Sequence, residues 1–222
     1  GRTLLYTVCT LPFRVIIPLL VAVLLCSKRV AGKSLTRTMV YIPVLMSALV
    51  VGITINWMFS QEYGLVNFII RSLGGTALEW SLNPRLATFV IAFASVWASI
   101  GFNMILYIGG INSISNDLYE AATIDGASGV QAFFRITVPM LAPTTFMVVL
   151  LSTVNLLKEY ALVQGITQGG PGLSTTFIIQ YIFDKGFNQM QYGYASAIST
   201  VVMIIFALIA FAQFKVNNGG ET

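Results

Sequence analysis

Histidine is absent from the sequence, and Asp, Glu, Lys and Arg together make up only 9% of its 222 residues. Soluble domains carry roughly 25% charged residues, so this scarcity of charge argues against a soluble protein. Without histidine the chain also lacks the commonest general base and a common metal ligand. We therefore predict that this chain is not an enzyme and that it holds no catalytic residue, metal or cofactor.

Cysteine is nearly as scarce, since Cys9 and Cys26 are the only two in the chain. On one helix they would lie about 25 Å apart, which is far too long for a disulfide. We interpret both as packing residues. The formal net charge of +4 is spread mostly over short loops, whereas a nucleic-acid-binding protein clusters Lys and Arg on one exposed face. We expect no nucleic-acid partner.

Hydrophobic residues dominate what is present, at 56% of the sequence with a mean hydropathy of +0.83. A helix needs about 20 apolar residues to cross a bilayer. We predict an all-α, polytopic transmembrane helical bundle in contact with membrane lipid. The five predicted helices cover approximately residues 4–26, 39–59, 86–108, 142–163 and 193–214. Pro12 and Pro18 predict that the first helix is kinked or broken, which a bilayer tolerates only where neighbouring protein binds the freed carbonyls.

The densest group of basic residues follows the first predicted helix and, by the positive-inside rule, lies in the cytoplasm. It consists of Lys28, Arg29, Lys33 and Arg37. By alternation, residues 60–85 and 164–192 lie outside, and residues 109–141 and the tail lie inside. A cytoplasmic start would require one more N-terminal helix upstream, so we expect about six helices in the intact subunit. The outer segment 60–85 predicts a short amphipathic helix, either at the membrane interface or against a partner protein.

The cytoplasmic loop 109–141 is long for a simple connection and begins with a helix-start pattern. Asp117 followed by Glu120 predicts a capped helix, in which Asp117 is the N-cap and Glu120 reaches back to its amide. Gly126 fits the left-handed position that ends such a helix. Two alanines beside larger side chains are typical of a helix that docks in a groove of another protein. The alternative is that the loop packs on the membrane subunit itself.

A second helix-start pattern follows at once in the same loop. Ser128 with Gln131 three residues later repeats the capping pattern. The spacing predicts a second short helix through Arg135 and Ile136 that ends before Pro139. The loop is therefore expected to hold two short helices joined by a tight glycine bend.

Several fixed spacings in this loop resemble the EAA loop of ABC importer permeases. The matching residues are Glu120, Ala121, Ala122, Gly126, Ile136 and Pro139, with Val138 where the family usually has Leu. The resemblance implies a type I ABC importer permease fold, with ATP and Mg²⁺ bound by two partner ATP-binding subunits and not by this chain. The residues that it assigns to ATPase coupling are Leu118, Tyr119, Glu120, Ala121, Ala122, Ile124, Asp125, Gly126 and Pro139.

A second stretch resembles the outer loop of sugar permeases of the maltose-transporter type, specifically the larger permease of the pair. Its residues are Thr167, Gln168, Gly169, Gly170, Pro171, Thr175, Thr176, Tyr181, Gly193, Tyr194 and Ala195. The resemblance implies multi-pass import of a sugar or oligosaccharide across the bacterial cytoplasmic (inner) membrane by alternating access. The implied partners are a second homologous permease, forming a heterodimer, and an external solute-binding protein. The rival interpretation is a secondary transporter or channel, in which the cytoplasmic loop is only structural.

Polar side chains recur at every fourth residue in the third and fourth predicted helices, and so form one stripe on each helix. The third helix carries Ser95, Ser99 and Asn103 with Phe102 beside them, and the fourth carries Ser152, Asn155 and Glu159 flanked by Leu156 and Tyr160. We interpret these stripes, in line with the family analogy, as the substrate pathway. The alternative is that the small polar residues only pack helices together.

Three charged residues lie deep in the predicted helices, namely Arg14, Lys158 and Glu159. A central charge costs about 2.5–3.5 kcal/mol on insertion scales, so each of them must find a partner or reach water. Lys158 either extends to the outer surface or faces the pathway. The second alternative would suit an acidic sugar.

Overall fold

The protein is described by a computed structural model that covers residues 1–27 and 32–218. Within these ranges the chain is all-α and contains no strand. The helices are α1 (Arg2–Cys26), α2 (Lys33–Tyr41), α3 (Ala48–Met58), α4 (Leu65–Ser72), α5 (Pro84–Asn112), α6 (Asn116–Ile124), α7 (Gly129–Ala132), α8 (Val138–Met140), α9 (Ala142–Leu157), α10 (Ala161–Ile166), α11 (Ile178–Phe183) and α12 (Tyr192–Asn218). A 3-10 helix covers Ile42–Leu45, and π-helices cover Phe133–Thr137 and Asp184–Asn188. Lys28 and Arg29 of the predicted basic group lie outside the described residues.

Among the described residues, three helices are long and apolar enough to cross a membrane, and two bent pairs raise the number to as many as five. The three are Arg2–Cys26, Pro84–Asn112 and Tyr192–Val216. The bent pairs are Lys33–Leu45 with Ala48–Met58, at 99°, and Gly129–Met140 with Ala142–Leu157, at 66°. The predicted all-α transmembrane fold is confirmed.

The prediction of one helix over residues 39–59 is wrong, because the chain bends sharply in the middle of this range. Pro43 lies in the 3-10 helix, and Met46 and Ser47 are extended. Proline has no amide hydrogen to continue an α-helical ladder, so α2 ends before it. The helix predicted at 142–163 is also divided, since α9 ends at Leu157 and α10 begins at Ala161.

The first helix is continuous despite its two internal prolines, so of the two predicted alternatives, a kink or a break, the break does not occur. Pro18 lacks the amide hydrogen that would bond to the carbonyl oxygen of Arg14, four residues earlier. The side-chain amide Nδ2 of Asn103, on α5, donates to that carbonyl at 3.0 Å instead. A neighbouring helix thus replaces the hydrogen bond that Pro18 removes, which is how a membrane helix keeps an internal proline.

Three long helices, α1, α5 and α9, form the centre of the bundle and bury two apolar clusters. One cluster contains Tyr6 of α1, Val90 of α5 and Leu156 of α9. The other contains Leu25 and Ile108, from the opposite ends of α1 and α5, and Leu141, the N-cap residue of α9. Helices α1 and α5 therefore run parallel to each other, and α9 runs antiparallel to both.

Helices α3 and α10 cross at a pair of glycines. A Cβ atom added to Gly52 would lie 2.9 Å from the Cα atom of Gly165 and 3.0 Å from the carbonyl oxygen of Leu162. Such distances leave no room for a side chain at this crossing. Small residues allow the backbones of membrane helices to approach closely, so these two glycines let α10 pack directly against α3.

Candidate functional site

A buried ion pair joins α1 to the segment that follows α9. The Nη2 atom of Arg14 lies 3.6 Å from Oε2 of Glu159, and both side chains are buried. Ser95 of α5 lies between them. Arg14 Nη2 donates to Ser95 Oγ at 2.5 Å, and Ser95 Oγ donates to Glu159 Oε2 at 3.3 Å. The two charges that the sequence left without partners therefore neutralise each other inside the bundle.

The same network continues toward the other end of the bundle through Asn103. Its Nδ2 atom donates to the carbonyl oxygen of Arg14 and, at 3.2 Å, to Oγ of Ser152 on α9. Asn103 and Ser152 are both buried. Polar groups of α1, α5 and α9 thus bond to one another in the centre of the bundle, as buried polar groups usually do. One atom of the pair, Nε of Arg14, is buried without a hydrogen-bond partner.

The predicted pathway residues divide into two groups by exposure. Ser95, Asn103, Ser152, Leu156 and Glu159 are buried between helices of this chain. Their burial favours the packing interpretation that the sequence left open for the small polar residues.

The remaining pathway residues are at least partly accessible. Phe102 and Asn155 are exposed, whereas Ser99 and Tyr160 are half-buried. Lys158 is also exposed, at the end of α9. These residues are free to contact a substrate or a partner chain, and their assignment to the pathway stays a prediction.

The first helix of the cytoplasmic loop, α6, is capped differently from the prediction. Its N-cap is Ser115, whose Oγ accepts a hydrogen bond from the amide of Asp117 at 3.2 Å, so the assignment of Asp117 as N-cap is wrong. Asp117 instead lies in the first turn, where its charge is favourable to the helix dipole. Glu120 is exposed on the same helix.

The glycine bend that ends α6 agrees with the prediction. Gly126 has a φ of +75°. Its amide donates to the carbonyl oxygen of Thr123 at 3.1 Å, and the amide of Ala127 donates to that of Ala122 at 2.9 Å. This pair of bonds is the Schellman arrangement, in which a left-handed residue reverses the chain after a helix.

The second helix of the loop begins as predicted but does not end as predicted. The amide of Gln131 donates to Ser128 Oγ at 3.3 Å, and the amide of Ser128 donates to Gln131 Oε1 at 2.7 Å, which completes the capping box. The helix then continues as the π-helix Phe133–Thr137 and as α8. The predicted end before Pro139 is wrong. Pro139 lies in the first turn of α8, a position that tolerates its missing amide hydrogen.

One side chain ties α6 to the segment that leads into α9. The hydroxyl of Tyr119 lies 2.9 Å from Oγ1 of Thr137, which is itself buried. The other large apolar residues of α6 point outward, since Leu118 is exposed and Ile124 is 86% exposed. We call the exposed side chains Leu118, Glu120, Ala121 and Ile124 the coupling face. It is anchored to the membrane helices through Tyr119 and left uncovered on its other side.

The Gly-Gly-Pro segment after α10 forms a compact loop. Thr175 is fully buried, and its Oγ1 donates to the carbonyl oxygen of Gly170 at 2.6 Å. Oγ1 of Thr167 lies 2.8 Å from that of Thr175. The amide of Ile178 donates to Oγ1 of Thr3 at 3.0 Å, so the loop is also fixed to the start of α1.

Sequence reasoning gave no individual role to Asn67, the most highly bonded side chain of the segment 60–85. It is fully buried, and its Oδ1 accepts hydrogen bonds at 3.0 Å from the amide of Leu78 and from the indole of Trp80. Its Nδ2 donates to the carbonyl oxygens of Gln61 and Leu78. An asparagine in the first turn of a helix carries no signal of burial, because only the folded loop brings these partners to it.

Over residues 1–218 the chain matches the family described as the binding-protein-dependent transport system inner membrane component. The chain belongs to this family. It is 33% identical to the arabinooligosaccharides transport system permease protein AraP of Halalkalibacterium halodurans, covering 96% of this chain and 68% of that protein. It is 34% identical to the trehalose/maltose transport system permease protein MalF of Thermococcus litoralis, covering 87% and 65% of the two chains.

The fold of this inner membrane component is also that of a solved transporter. A bacterial ABC transporter involved in the import of the acidic polysaccharide alginate superposes with a TM-score of 0.88 over 98% of this chain and 77% of the other, at 24% identity. The type I importer permease fold implied by the loop resemblance is confirmed. The chain spans about two thirds of the length of the curated relatives named above.

Proposed function

We propose that this inner membrane component is a permease subunit of an ATP-driven importer for a sugar or oligosaccharide. The observation that carries the proposal is the coupling face on α6. Its large apolar side chains are exposed, although the helix itself is well ordered. Ser115 caps the start of α6, Gly126 reverses the chain after its end, and the hydroxyl of Tyr119 contacts Thr137. An ordered helix with an uncovered apolar face is suited to a groove on another protein.

The partner on this face is proposed to be one of two ATP-binding subunits, which bind ATP and Mg²⁺. A second homologous permease and an external solute-binding protein would complete the importer. A crystal structure of the alginate transporter includes a periplasmic protein bound to an alginate pentasaccharide, which supports this arrangement. The sugar cargo is supported by two relatives, whose names describe transport systems for arabinooligosaccharides and for trehalose or maltose.

A continuous set of contacts leads from the coupling face to the polar network. Tyr119 contacts Thr137, and the segment from Thr137 continues through α8 into α9. Ser152 of α9 accepts a hydrogen bond from Asn103, which also holds the carbonyl of Arg14. We propose that movement of the ATPases shifts α6 and α9 together and so changes access to Phe102, Asn155 and Tyr160. Rigid-body rocking of this kind is common in transporters.

The test is uptake by the complete transporter in vesicles. An Ile124→Asp variant places a charge on the coupling face and should reduce ATP-driven uptake by at least about tenfold, as expected for an interface hot spot. Leu73→Asp is the matched control, because Leu73 is 83% exposed but lies in the predicted outer segment. Uptake should be unchanged in this control. Wild-type uptake that persists without ATP would instead support a secondary transporter or channel, and equal uptake by Ile124→Asp would contradict the coupling role.

A further inference from the structure

Three aromatic rings form a row between the end of α9 and the start of α12. The ring centroids of Tyr160 and Phe183 lie 5.1 Å apart with planes at 37°. Those of Phe183 and Phe187 lie 4.9 Å apart at 29°. Tyr160 is half-buried, Phe183 is 38% exposed and Phe187 is 63% exposed, so the row emerges from the bundle toward its surface.

Local structure explains how the row is built. Phe183 is the last residue of α11, and Phe187 lies in the π-helix Asp184–Asn188. Side chains four residues apart lie on one face of a helix, which brings the two rings together. Tyr160 lies in the break between α9 and α10, directly after Glu159. Single π-helical turns inside helices occur frequently at functional sites.

Polar side chains lie on the same π-helical segment as Phe187. Nδ2 of Asn188 donates to Oδ1 of Asp184 at 3.0 Å, and Nε2 of Gln189 donates to Oδ2 of Asp184 at 2.8 Å. Nζ of Lys185 donates to Oε1 of Gln189 at 2.7 Å. All four side chains are at least partly accessible. Accessible amide and carboxylate groups therefore lie within three residues of Phe187 in the chain.

We propose that Tyr160, Phe183 and Phe187 form a carbohydrate-stacking site at the outer mouth, where the sugar binds at the outer end of the predicted pathway. This inference rests on the proposed sugar import. The face of an aromatic ring is electron-rich and attracts the C–H face of a sugar ring, while the neighbouring amides and carboxylate can hydrogen-bond its hydroxyl groups. The ligand class is an oligosaccharide with at least one pyranose or furanose ring free to stack.

The row also differs from the aromatic residues that only anchor a membrane protein. Trp and Tyr side chains of such a belt lie at the lipid headgroups. Here two of the three residues are Phe, the rings of Phe183 and Phe187 are stacked, and Tyr160, tilted against Phe183, begins the row beside the buried Glu159. A surface that leads from the outer segment to the predicted pathway is suited to a substrate moving along it.

The experiment is sugar uptake by the complete transporter, with its partner subunits and binding protein, in proteoliposomes. The probes are radiolabelled maltotriose, arabinotriose and lactose. The KM of each variant is measured with the probe that the wild type takes up in the presence of ATP. Phe187→Leu should raise KM by about threefold to tenfold, the size expected for loss of one aromatic contact. Phe187→Trp should keep the wild-type KM. ATPase stimulation by the loaded binding protein should be the same in all three proteins.

Phe211→Leu is the matched control, because Phe211 of α12 is 66% exposed but lies outside the row. Its KM should equal that of the wild type. An unchanged KM for Phe187→Leu would overturn the stacking site, and so would an equal rise for Phe211→Leu, which would indicate membrane anchoring. A wild-type transporter that moves none of the three sugars with ATP would overturn the proposed sugar import, and the stacking site with it.

Discussion

The polar network of α1, α5 and α9 differs from the coupling face of α6 in what is buried. The network buries polar side chains, whereas the coupling face exposes apolar ones. In the network, a charged pair and the side chains of Ser95, Asn103 and Ser152 are hydrogen-bonded inside the bundle. On the coupling face, the backbone is fully capped while Leu118 and Ile124 are left uncovered. A region whose side chains bond only within the chain holds the helices together. A region with an ordered backbone and uncovered apolar side chains is suited to contact with another protein.

Breaking the ion pair should have the largest effect. Arg14→Met leaves the carboxylate of Glu159 buried without its cation, which costs about 3–5 kcal/mol of unfolding free energy. The double variant Arg14→Met with Glu159→Met removes both charges and should recover most of this loss. The measurement is denaturant unfolding of the detergent-solubilised protein. Single and double variants of equal stability would mean that the pair is not buried as described.

Removing the side chain of Asn103 should lower the free energy of unfolding by a smaller amount, and a second substitution should recover part of that loss. Asn103→Leu leaves the carbonyl of Arg14 without its donor and should cost about 1–3 kcal/mol. Adding Pro18→Ala restores an amide hydrogen that can bond to this carbonyl within α1, so the double variant should regain part of the loss. Ser99→Ala is the control, because Ser99 Oγ donates only to Val96 on its own helix; its effect should stay within about 0.5 kcal/mol. A loss that Pro18→Ala does not reduce would contradict this role of Asn103.

The smallest loss of stability is expected from a substitution at the start of α6. Ser115→Ala removes the cap of α6 and should lower its local stability by about 1 kcal/mol, without changing the unfolding of the membrane bundle. Hydrogen exchange at the amides of α6 would measure this. Asp117→Asn, which leaves the Ser115 cap intact, should change exchange less. If Asp117→Asn increased hydrogen exchange more than Ser115→Ala does, Asp117 would be the N-cap, which would contradict the structure.

Local signals predicted the loop well and the central helices only in outline. The capping box at Ser128 and the left-handed Gly126 are decided by residues a few positions apart, so the sequence displays them directly. The N-cap was misassigned by two residues because Ser115 and Asp117 are both good caps. The divided helix at 142–163 and the bend near Pro43 were missed, since an apolar run looks the same whether it is straight or bent.

The residues of the polar stripes were found from their spacing, but their partners were not. Ser95, Asn103 and Ser152 lie on predicted stripes, yet nothing local indicates that Arg14 binds Ser95 and Glu159 or that Asn103 replaces the bond lost at Pro18. Nothing local indicated that Asn67 is buried. Each of these contacts joins elements that are distant in the chain, and pattern and propensity describe only neighbours.

By itself, the sequence determined that this is an all-α membrane protein with two capped helices in one long loop, because apolar run length and capping residues act locally. Only the tertiary structure decided which polar groups are buried and which remain open. It placed Arg14, Ser95 and Glu159 in one network, left the coupling face uncovered, and brought Tyr160 beside Phe183 and Phe187. Burial and pairing depend on how separate helices pack, which no single segment of the chain encodes.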